Sequence, residues 1–422
     1  MDPAARKWRT QADNCRAVLN RVRAALAEGM PADRTLAAIC RENRFYGSRD
    51  RQFFRKTVFA YFRWLGWLNA SPFRDAPEPL RMLAALTADG CDGGVLPPAA
   101  LVWAGGDDPE KWTAAAALPT PEERFAAVSG VVPPDAALIP APAVKLLAEG
   151  AETGFLPFLK TRSPLWVRAV PGAESRVAEE WRNAGLTFEA HPRIINAFRF
   201  PNDSIRFDSF DGWKRGLFEM QDFSSQCIGL ACCAEEGENW LDPCAGGGGK
   251  SLQLAAAVGK SGSVTVGDIR TYKLDVLERR AARTPFAGRF RRAADVPAGT
   301  LFDGVIADVP CSSSGRWRRN PDARWTGTEE RISEITETQY NILEEYARFV
   351  KPGGKLVYGT CSVFAAENRL LAQRFLAEHG SEFEPVPWIS PHTGALLPDG
   401  MLQTFPADAG CDGSFAALFR RK

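Results

Sequence analysis

One stretch limits what this chain can fold into: Trp240-Leu241-Asp242-Pro243-Cys244-Ala245-Gly246-Gly247-Gly248-Gly249-Lys250-Ser251. A short apolar run ends in an acid, crosses four consecutive glycines and enters the apolar segment 252–257, which predicts a strand, a tight turn and a helix. Glycines permit positive φ and a close approach of the backbone to a ligand, and a helix N-terminus carries partial positive charge. The stretch therefore predicts a nucleotide-type site in an α/β sheet.

Two ligands suit such a loop. Gly249-Lys250-Ser251 ends like a phosphate-binding P-loop, but the P-loop pattern needs a glycine where Cys244 stands. An adenosyl group is the other ligand, since Ser263 to Asp268 supplies a second strand ending in an acid that would hold the ribose hydroxyls.

Composition bounds the class of protein. With 422 residues and 45% hydrophobic content, the chain can build two or three domains with proper cores. No stretch has the length of a membrane span, and the first residues lack the apolar core of a signal peptide, so we expect a soluble, cytoplasmic protein. Ten scattered cysteines without a CxxC pair, and three histidines, indicate neither a disulfide framework nor a metal site.

Periodicity predicts three regions. Residues 1–143 are expected to be helical, ending in a Pro/Ala-rich linker at 130–143, and their first 70 residues hold 14 Lys/Arg against 6 Asp/Glu, a balance that suits a polyanion. Residues 144–213 read as a small α/β module. Residues 214–422 read as a doubly wound α/β domain with a mostly parallel sheet, whose ligands gather at the carboxyl ends of the strands.

Two predicted strands of this domain end in reactive groups. The strand 302–308 ends at Asp308 and is followed by Pro310-Cys311, and the strand 355–361 ends at Cys361. In a Rossmann-like order these strands are neighbours, about 4.8 Å apart, so Cys311 and Cys361 are expected to face one pocket with Asp308 beside them.

This constellation suits methylation of cytosine C5. That carbon becomes nucleophilic only after a thiolate adds to C6, an acid near N3 stabilises the developing charge, and the C5 proton must then leave. Two cysteines and an aspartate can divide this work, with Lys250 or Arg316 lowering the pKa of a thiol.

The chain resembles the RNA cytosine-C5 methyltransferases of the Sun/Nop2 family. The resemblance is carried by segments 242–250, 308–315, 318–322 with Trp325, and 356–362 with Glu367-Asn368, and it extends to Glu219-Met220-Gln221-Asp222 with Ser224, Ser225 and Gln226, and to Asp412-Gly413-Ser414-Phe415. The family usually has Ala-Ala-Pro-Gly-Gly-Lys where this chain has glycines after Ala245. The fold that the resemblance implies is a Rossmann-like, S-adenosylmethionine-dependent methyltransferase domain.

Site roles follow from the resemblance. It implies that Cys361 is the nucleophile, that Cys311 assists product release, and that Asp308 lies at the target base, with Lys250 also counted among the catalytic residues. The residues implied to line the S-adenosylmethionine site are Ala245, Gly246, Gly247, Gly248, Gly249, Lys250, Asp268, Lys273, Asp295 and Asp308. Lys273 stands where the family usually has arginine.

RNA is the predicted partner. The loop Arg316-Trp317-Arg318-Arg319 follows the Pro-Cys segment, and its three arginines are candidates to grip phosphates while Trp317 stacks on a splayed base. The N-terminal region more faintly resembles the NusB-like RNA-binding domain of the bacterial small-subunit rRNA member, around Ser48 to Gln52, which favours rRNA over tRNA as substrate.

Three other functions stay open at this point. A P-loop NTPase would leave Asp268 and both strand-end cysteines unexplained. A non-catalytic RNA-binding assembly factor would not need Cys311, Cys361, Asp308 and Lys250. A DNA methyltransferase would typically use the cysteine of the Pro-Cys segment as nucleophile, so Thr360-Cys361 favours RNA.

Overall fold

A computed structural model describes residues 3–201, 205–295, 297, 299–327 and 329–422, without the side chains of Asp92, Ala287 and Asp295. The chain divides into two compact units. The first, the helical unit, comprises residues 1–145, 156–162 and 317–328, and the second, the α/β unit, comprises residues 146–155, 163–316 and 329–422. The predicted domain boundaries at 143/144 and 213/214 stay predictions, because each of the two compact units combines segments that are separate in sequence and neither unit begins or ends at these positions.

The helical unit is built from amphipathic helices. In the first, Cys15, Val18, Leu19 and Val22 recur at helical spacing and are buried. Within the described residues, no helix combines the length and the apolar character needed to cross a membrane. The helices are α1 Pro3–Ala27, α2 Ala32–Glu42, α3 Ser48–Asn69, α4 Glu78–Asp89, α5 Pro98–Leu101, α6 Pro109–Ala116, α7 Pro121–Ser129 and α8 Ala141–Leu146.

Part of the predicted linker is packed. In segment 130–143, residues 135–138 form a 3₁₀ turn, and Leu138 is buried. A Pro/Ala-rich composition disfavours regular helix but does not prevent apolar side chains from filling a core.

The helical unit also contains residues 317–328, which lie within the predicted 214–422 domain in sequence. Arg324 shows what holds this segment in the helical unit. Its side chain is 1% exposed, and its guanidinium donates to the carbonyls of Arg63, Leu138, Leu159 and Trp317. A buried guanidinium needs such acceptors, and the chain supplies them from distant helical-unit segments that no local pattern predicts.

The α/β unit begins with a small antiparallel sheet. Its strands are β1 Leu165–Ala169, β2 Glu189–Ala190, β3 Ala197–Phe200 and β4 Phe218–Met220, in the order β2-β3-β1-β4. The helix that packs on it, α10 Glu174–Asn183, follows α9 Ala151–Gly154 in chain order. Trp181 of α10 is fully buried among phenylalanine rings, so the module has an aromatic core of its own.

The main sheet positions the site. Its strands are β5 Asn239–Asp242, β6 Ser263–Val266, β7 Phe290–Arg292, β8 Phe302–Asp308, β9 Val350–Thr360, β10 Phe383–Pro385, β13 Met401–Thr404 and β14 Ser414–Arg421, with a separate ribbon of β11 Trp388–Ile389 and β12 Leu396–Leu397. The order is β10-β14-β9-β8-β5-β6-β7, and β13 pairs with β14. The pairs β7-β6, β6-β5, β5-β8 and β8-β9 are parallel, whereas β14 runs antiparallel to its neighbours.

Helices cover this sheet. They are α11 Asp211–Lys214, α12 Phe223–Ala231, α13 Gly249–Ala257, α14 Thr271–Ala281, α15 Glu329–Ala347, α16 Arg369–His379 and α17 Pro406–Ala409. Apolar clusters bury β5, β8 and β9 between these layers. The predicted fold class is confirmed: a Rossmann-like α/β methyltransferase sheet, with an all-helical N-terminal region and a small α/β module before it.

Gly66 of α3 provides a test of packing in the helical unit. A Cβ at this position would lie 1.7 Å from the carbonyl oxygen of Ala137, which is backbone and cannot swing aside. We expect Gly66→Ala to destabilise the protein by roughly 2–4 kcal/mol in urea unfolding, because the helix must shift to relieve the overlap. Gly106→Ala is the control, since nothing lies within 4 Å of its Cβ position. Equal stability of the two variants would contradict the packing.

Candidate active site

The glycine loop runs from the end of β5 to the start of α13. Gly248 adopts φ +86°, and a Cβ there would lie 2.6 Å from Cγ of Leu277 in α14. Both the backbone angle and the packing therefore require glycine at this position. The sequence prediction of strand, turn and helix is confirmed here.

Asp268 follows β6 and holds the loop from the other side. Its Oδ2 accepts from the backbone N–H of Gly246 at 2.9 Å, and its Oδ1 accepts from the N–H of Arg270 at 2.8 Å. Burial acts to raise the pKa of Asp268, but the Arg270 side chain and these N–H groups outweigh it and hold the pKa below its usual value. The carboxylate is thus ionised and fixed at the loop.

Arginines brace the loop from behind. Arg280 donates to the carbonyl of Gly247 and to the carboxylate of Glu219, and Arg283 donates to Glu219 at 2.9 Å. Glu219 is buried at 3% exposure. Glu219 therefore fixes the loop backbone through Arg280. The sequence indicated a family resemblance at Glu219 but not this contact.

The other side of the loop is open. A Cβ built on Gly246 would meet nothing closer than 3.9 Å, and one built on Gly249 nothing within 4 Å among the described residues. Side chains at Gly246 and Gly249 would occupy this space beside the ionised Asp268, and without them the space has room for an adenosyl group.

The remaining predicted cofactor residues lie around the loop, apart from one. Ala245 is buried, and its N–H donates to the carbonyl of Gly267. Lys273 lies in the first turn of α14, where its Nζ is 5.7 Å from the ring of Tyr272. The side chain of Asp295 lies outside the described part of the structure, so its role stays a prediction.

Lys250 and Asp308 form an ion pair next to the loop. The Nζ of Lys250 lies 2.7 Å from Oδ2 of Asp308, with the two side chains 13% and 28% exposed. Burial acts to lower the pKa of Lys250, but the Asp308 carboxylate outweighs it and raises the pKa above its ordinary value. Lys250 is therefore charged, and it fixes the carboxylate at the carboxyl end of β8.

The two predicted cysteines meet. The Sγ atoms of Cys311 and Cys361 lie 3.2 Å apart. The hydrogen bond from Cys311 lowers the pKa of Cys361, and the Ser313 hydroxyl and Arg316 act in the same direction against burial and Asp308. The same contact, together with burial, raises the pKa of Cys311 well above its ordinary value. The pair is polarised, because Cys361 gives up its proton more readily than Cys311 does.

The loop after Cys311 is folded tightly against β9. Ser313 adopts φ +56°, a conformation that non-glycine residues rarely take, and its Oγ lies 3.4 Å from Sγ of Cys361. The N–H of Gly315 donates to the carbonyl of Cys361 at 3.0 Å. A Cβ on Gly315 would lie 2.0 Å from the carbonyl oxygen of Gly413, so the segment around Gly413 packs directly against this loop.

The predicted RNA loop needs correction. Arg316 is exposed, as expected. Trp317 is 3% exposed and cannot serve as a stacking platform, and Arg318 is 6% exposed, with its guanidinium bonded to the carbonyl and hydroxyl of Thr161 and to the carbonyl of Arg162. These residues belong to the core of the helical unit. Arg319 is half-buried.

Sequence reasoning missed the role of three polar residues at the cysteines. Ser312 and Ser362 each follow a cysteine directly, and both donate to the carboxylate of Glu367. Glu367 had been used only to identify a family. The repeated Cys-Ser pair, with an acid six residues after Cys361, is the sequence signal that could have revealed the contact.

Comparison with known proteins gives a consistent family. Residues 230–420 match the family described as 16S rRNA methyltransferase RsmB/F. A curated relative from Synechocystis sp., the "Probable ribosomal RNA small subunit methyltransferase B", is 32% identical over 283 residues, which cover 64% of this chain and 63% of the relative. The chain thus spans less than two thirds of that relative's length.

Solved structures share the fold. The crystal structure of PH0851 superposes with a TM-score of 0.69 at 21% identity, covering 97% of this chain and 98% of that one. The structure of NSun6 from Pyrococcus horikoshii with SFG has a TM-score of 0.56 at 14% identity, covering 67% and 97%. At these identities the likeness concerns the fold alone.

The thiol pair makes a prediction about pH. Because the Cys311 hydrogen bond is what lowers the pKa of Cys361, Cys311→Ala should raise that pKa and leave less thiolate at a given pH. We expect the rate of Cys361 alkylation by iodoacetamide to reach its midpoint at a higher pH in Cys311→Ala than in wild type. Mass spectrometry of the tryptic peptide 356–369 measures it.

Ser313→Ala is the matched variant. It removes the weaker of the two hydrogen bonds that lower the Cys361 pKa, so it should shift the midpoint in the same direction by less. A midpoint that is the same in Cys311→Ala and wild type would contradict the polarised pair.

Proposed function

We propose that the protein is an S-adenosylmethionine-dependent methyltransferase that modifies cytosine C5 in small-subunit rRNA. The match of residues 230–420 to the RsmB/F group of the Sun/Nop2 family supports this proposal. The observation that carries the proposal is the contact of Cys311 and Cys361 at the carboxyl ends of neighbouring strands. A second supporting observation is the charged Lys250–Asp308 pair between these cysteines and the glycine loop.

The reaction assigns one task to each side chain. The Cys361 thiolate adds to C6 of cytosine, which places negative charge on the ring. Asp308, held by Lys250, lies at the base edge, where a proton shared between its carboxyl group and N3 offsets that charge. S-adenosylmethionine supplies the methyl group that C5 takes up. The C5 proton is then lost to a base, the C6–S bond breaks, and the Cys361 thiolate is regenerated.

The difference between the two thiols supports this division of roles. A nucleophile must be ionised, and the pKa of Cys361 is the lowered one. Cys311 keeps its proton and stays within 3.2 Å of the sulfur that must leave, so it can stabilise the departing thiolate by donating a hydrogen bond. This supports Cys311 as the residue that assists product release.

The cofactor prediction agrees with the glycine loop. S-adenosylmethionine is the cofactor of the matched family, and the open side of Gly246 and Gly249 leaves room for its adenosyl moiety. In this proposal Asp268 accepts hydrogen bonds from the ribose hydroxyls, and Lys273 and Asp295 complete the site.

RNA recognition is proposed to involve both the site and the helical region. Arg316 is exposed and next to the thiol pair, where a phosphate flanking the target cytosine would pass. The basic N-terminal residues of the predicted 1–143 domain would contribute sequence-independent affinity. We propose rRNA over tRNA because the curated relative is named a small-subunit rRNA methyltransferase.

Methyl transfer from radiolabelled S-adenosylmethionine to unmodified small-subunit rRNA tests the function. Wild type should form 5-methylcytosine. Cys361→Ala should lose at least about a thousandfold in rate, since no adduct can form, whereas Cys311→Ala should accumulate RNA bound covalently to protein. Denaturing gels measure the adduct.

Each part of the proposal can fail separately in that experiment. Turnover by Cys361→Ala would refute the assignment of the nucleophile. RNA binding without methyl transfer by wild type would favour a non-catalytic assembly factor, and preferential methylation of tRNA would change the substrate. Cys227→Ala, which alters a buried thiol outside the site, is the control.

Asp268→Asn tests the cofactor site. Loss of the negative charge should weaken binding of S-adenosylmethionine by about tenfold or more, as expected for charge-assisted hydrogen bonds of about 1.5–3 kcal/mol. Calorimetric titration measures the affinity. Asp275→Asn on α14, whose carboxylate pairs with Arg292 at the surface, should bind as wild type does. Unchanged affinity in Asp268→Asn would remove this residue from the site.

A further inference from the structure

A buried carboxylate joins the two cysteine loops. Glu367 is 0% exposed. Its Oε1 accepts from the N–H of Ser312 and from Nε2 of Gln339, both at 2.8 Å. Its Oε2 accepts from the hydroxyls of Ser312 and Ser362, both at 2.5 Å. In the described part of the chain no lysine or arginine forms an ion pair with it, so these neutral donors are its recorded partners.

Three of these donors belong to the two residues that directly follow the cysteines in sequence. Ser312 directly follows Cys311, and Ser362 directly follows Cys361. The carboxylate therefore holds both loops at the residue next to the thiol. A single apolar side chain of the same size would fill the space but would remove the acceptor of four hydrogen bonds.

We propose that Glu367 is a positioning residue that sets the separation of the Cys311 and Cys361 sulfur atoms by binding both loops at once. The proposal rests on the function proposed above, and it extends that function to a side chain that touches neither thiol.

Neighbouring contacts make the carboxylate rigid. Gln339 also donates to the carbonyl of Pro310 at 3.0 Å, so it fixes the residue before Cys311 as well as Glu367 itself. The hydroxyl of Tyr358 donates to the backbone carbonyl of Glu367 at 2.6 Å. Ser314 bonds the hydroxyl of Ser362 at 2.9 Å and so adds a second link between the loops. Glu367 cannot move without breaking several buried hydrogen bonds at once.

The separation of the sulfur atoms matters because the hydrogen bond from Cys311 lowers the pKa of Cys361. The groups that act on the pKa of Cys361 include Cys311, Ser313, Asp308, Arg316 and Lys250, and the hydrogen bond from Cys311 has the largest effect. That hydrogen bond depends on two loops from different strands. If the loops separate by even one ångström, the thiol contact lengthens and weakens steeply.

Glu367→Gln tests the proposal with little change in volume. With the amide oxygen in the place of Oε1, the amide nitrogen would replace Oε2, the atom that accepts from the hydroxyls of both Ser312 and Ser362, so the link between the two loops should weaken. We expect the midpoint of Cys361 alkylation, measured on free protein with iodoacetamide and the peptide 356–369, to lie at a higher pH than in wild type. In methyl transfer, kcat should fall about tenfold or more, while KM for rRNA changes by less than about twofold.

A matched control separates this effect from general damage. Glu378→Gln alters an exposed carboxylate on α16 that bonds Tyr340 and Arg374. It should leave the alkylation midpoint and kcat unchanged. If Glu367→Gln does not fold, Ser312→Ala, which removes one donor and keeps the carboxylate, should shift the midpoint in the same direction by less.

The outcomes distinguish the positioning role from the function. An unchanged midpoint in folded Glu367→Gln, or in Ser312→Ala where the first variant does not fold, overturns the proposal even if methyl transfer by wild type is confirmed. A raised midpoint supports it, because alkylation needs neither RNA nor cofactor. A raised midpoint in a protein whose wild type methylates no RNA would uphold the positioning role while refuting the proposed function.

Discussion

The register of two parallel strands determines the chemistry of the α/β unit. β8 and β9 pair from Gly304 with Lys355 to Asp308 with Gly359, so both strands end at the same level of the sheet. Each then continues for two or three residues to a cysteine. Because neighbouring strands lie about 4.8 Å apart, these short extensions suffice to bring two sulfur atoms into contact. A slip of one residue would turn one cysteine to the other face of the sheet.

The other parts of the site have the common task of preventing movement. Arg280 holds the glycine loop to Glu219, Lys250 holds Asp308, and Glu367 holds the serines beside the thiols. Each contact joins elements far apart in sequence and buries at least one charged group. Separating a buried charged group from its partner costs free energy, because the group is left without a hydrogen-bond or ion-pair partner. This cost favours a preorganised site.

The sequence predicted the strands that carry the site because each is an apolar run that ends in an acid or a cysteine. Asp268, Asp308, Cys311 and Cys361 all lie where that pattern indicates. The prediction that Trp317 and Arg318 are exposed was wrong because local sequence does not show which distant groups a side chain contacts. A run of arginines around a tryptophan is typical of an exposed nucleic-acid loop. Burial of the Arg318 guanidinium is favourable because acceptors on Thr161 and Arg162, over 150 residues away, bind it. The contact of Glu367 with both loops was harder to predict, since the repeated Cys-Ser pair followed by an acid is its one signal in the sequence and gives no sign of four neutral donors.

The placement of residues 317–328 bears on how the protein can be divided and recombined. The chain leaves the α/β unit directly after Arg316 and re-enters it at Glu329, having contributed Arg324 to the interior of the helical unit. A gene fragment that begins after residue 145 would therefore encode the α/β unit together with two segments of the helical unit, 156–162 and 317–328, and Arg324 would have lost the carbonyls of Arg63 and Leu138. Exchange of the N-terminal domain between homologues meets the same difficulty. A chimera would have to exchange this insert together with residues 1–145 and 156–162, as a discontinuous module encoded in three pieces.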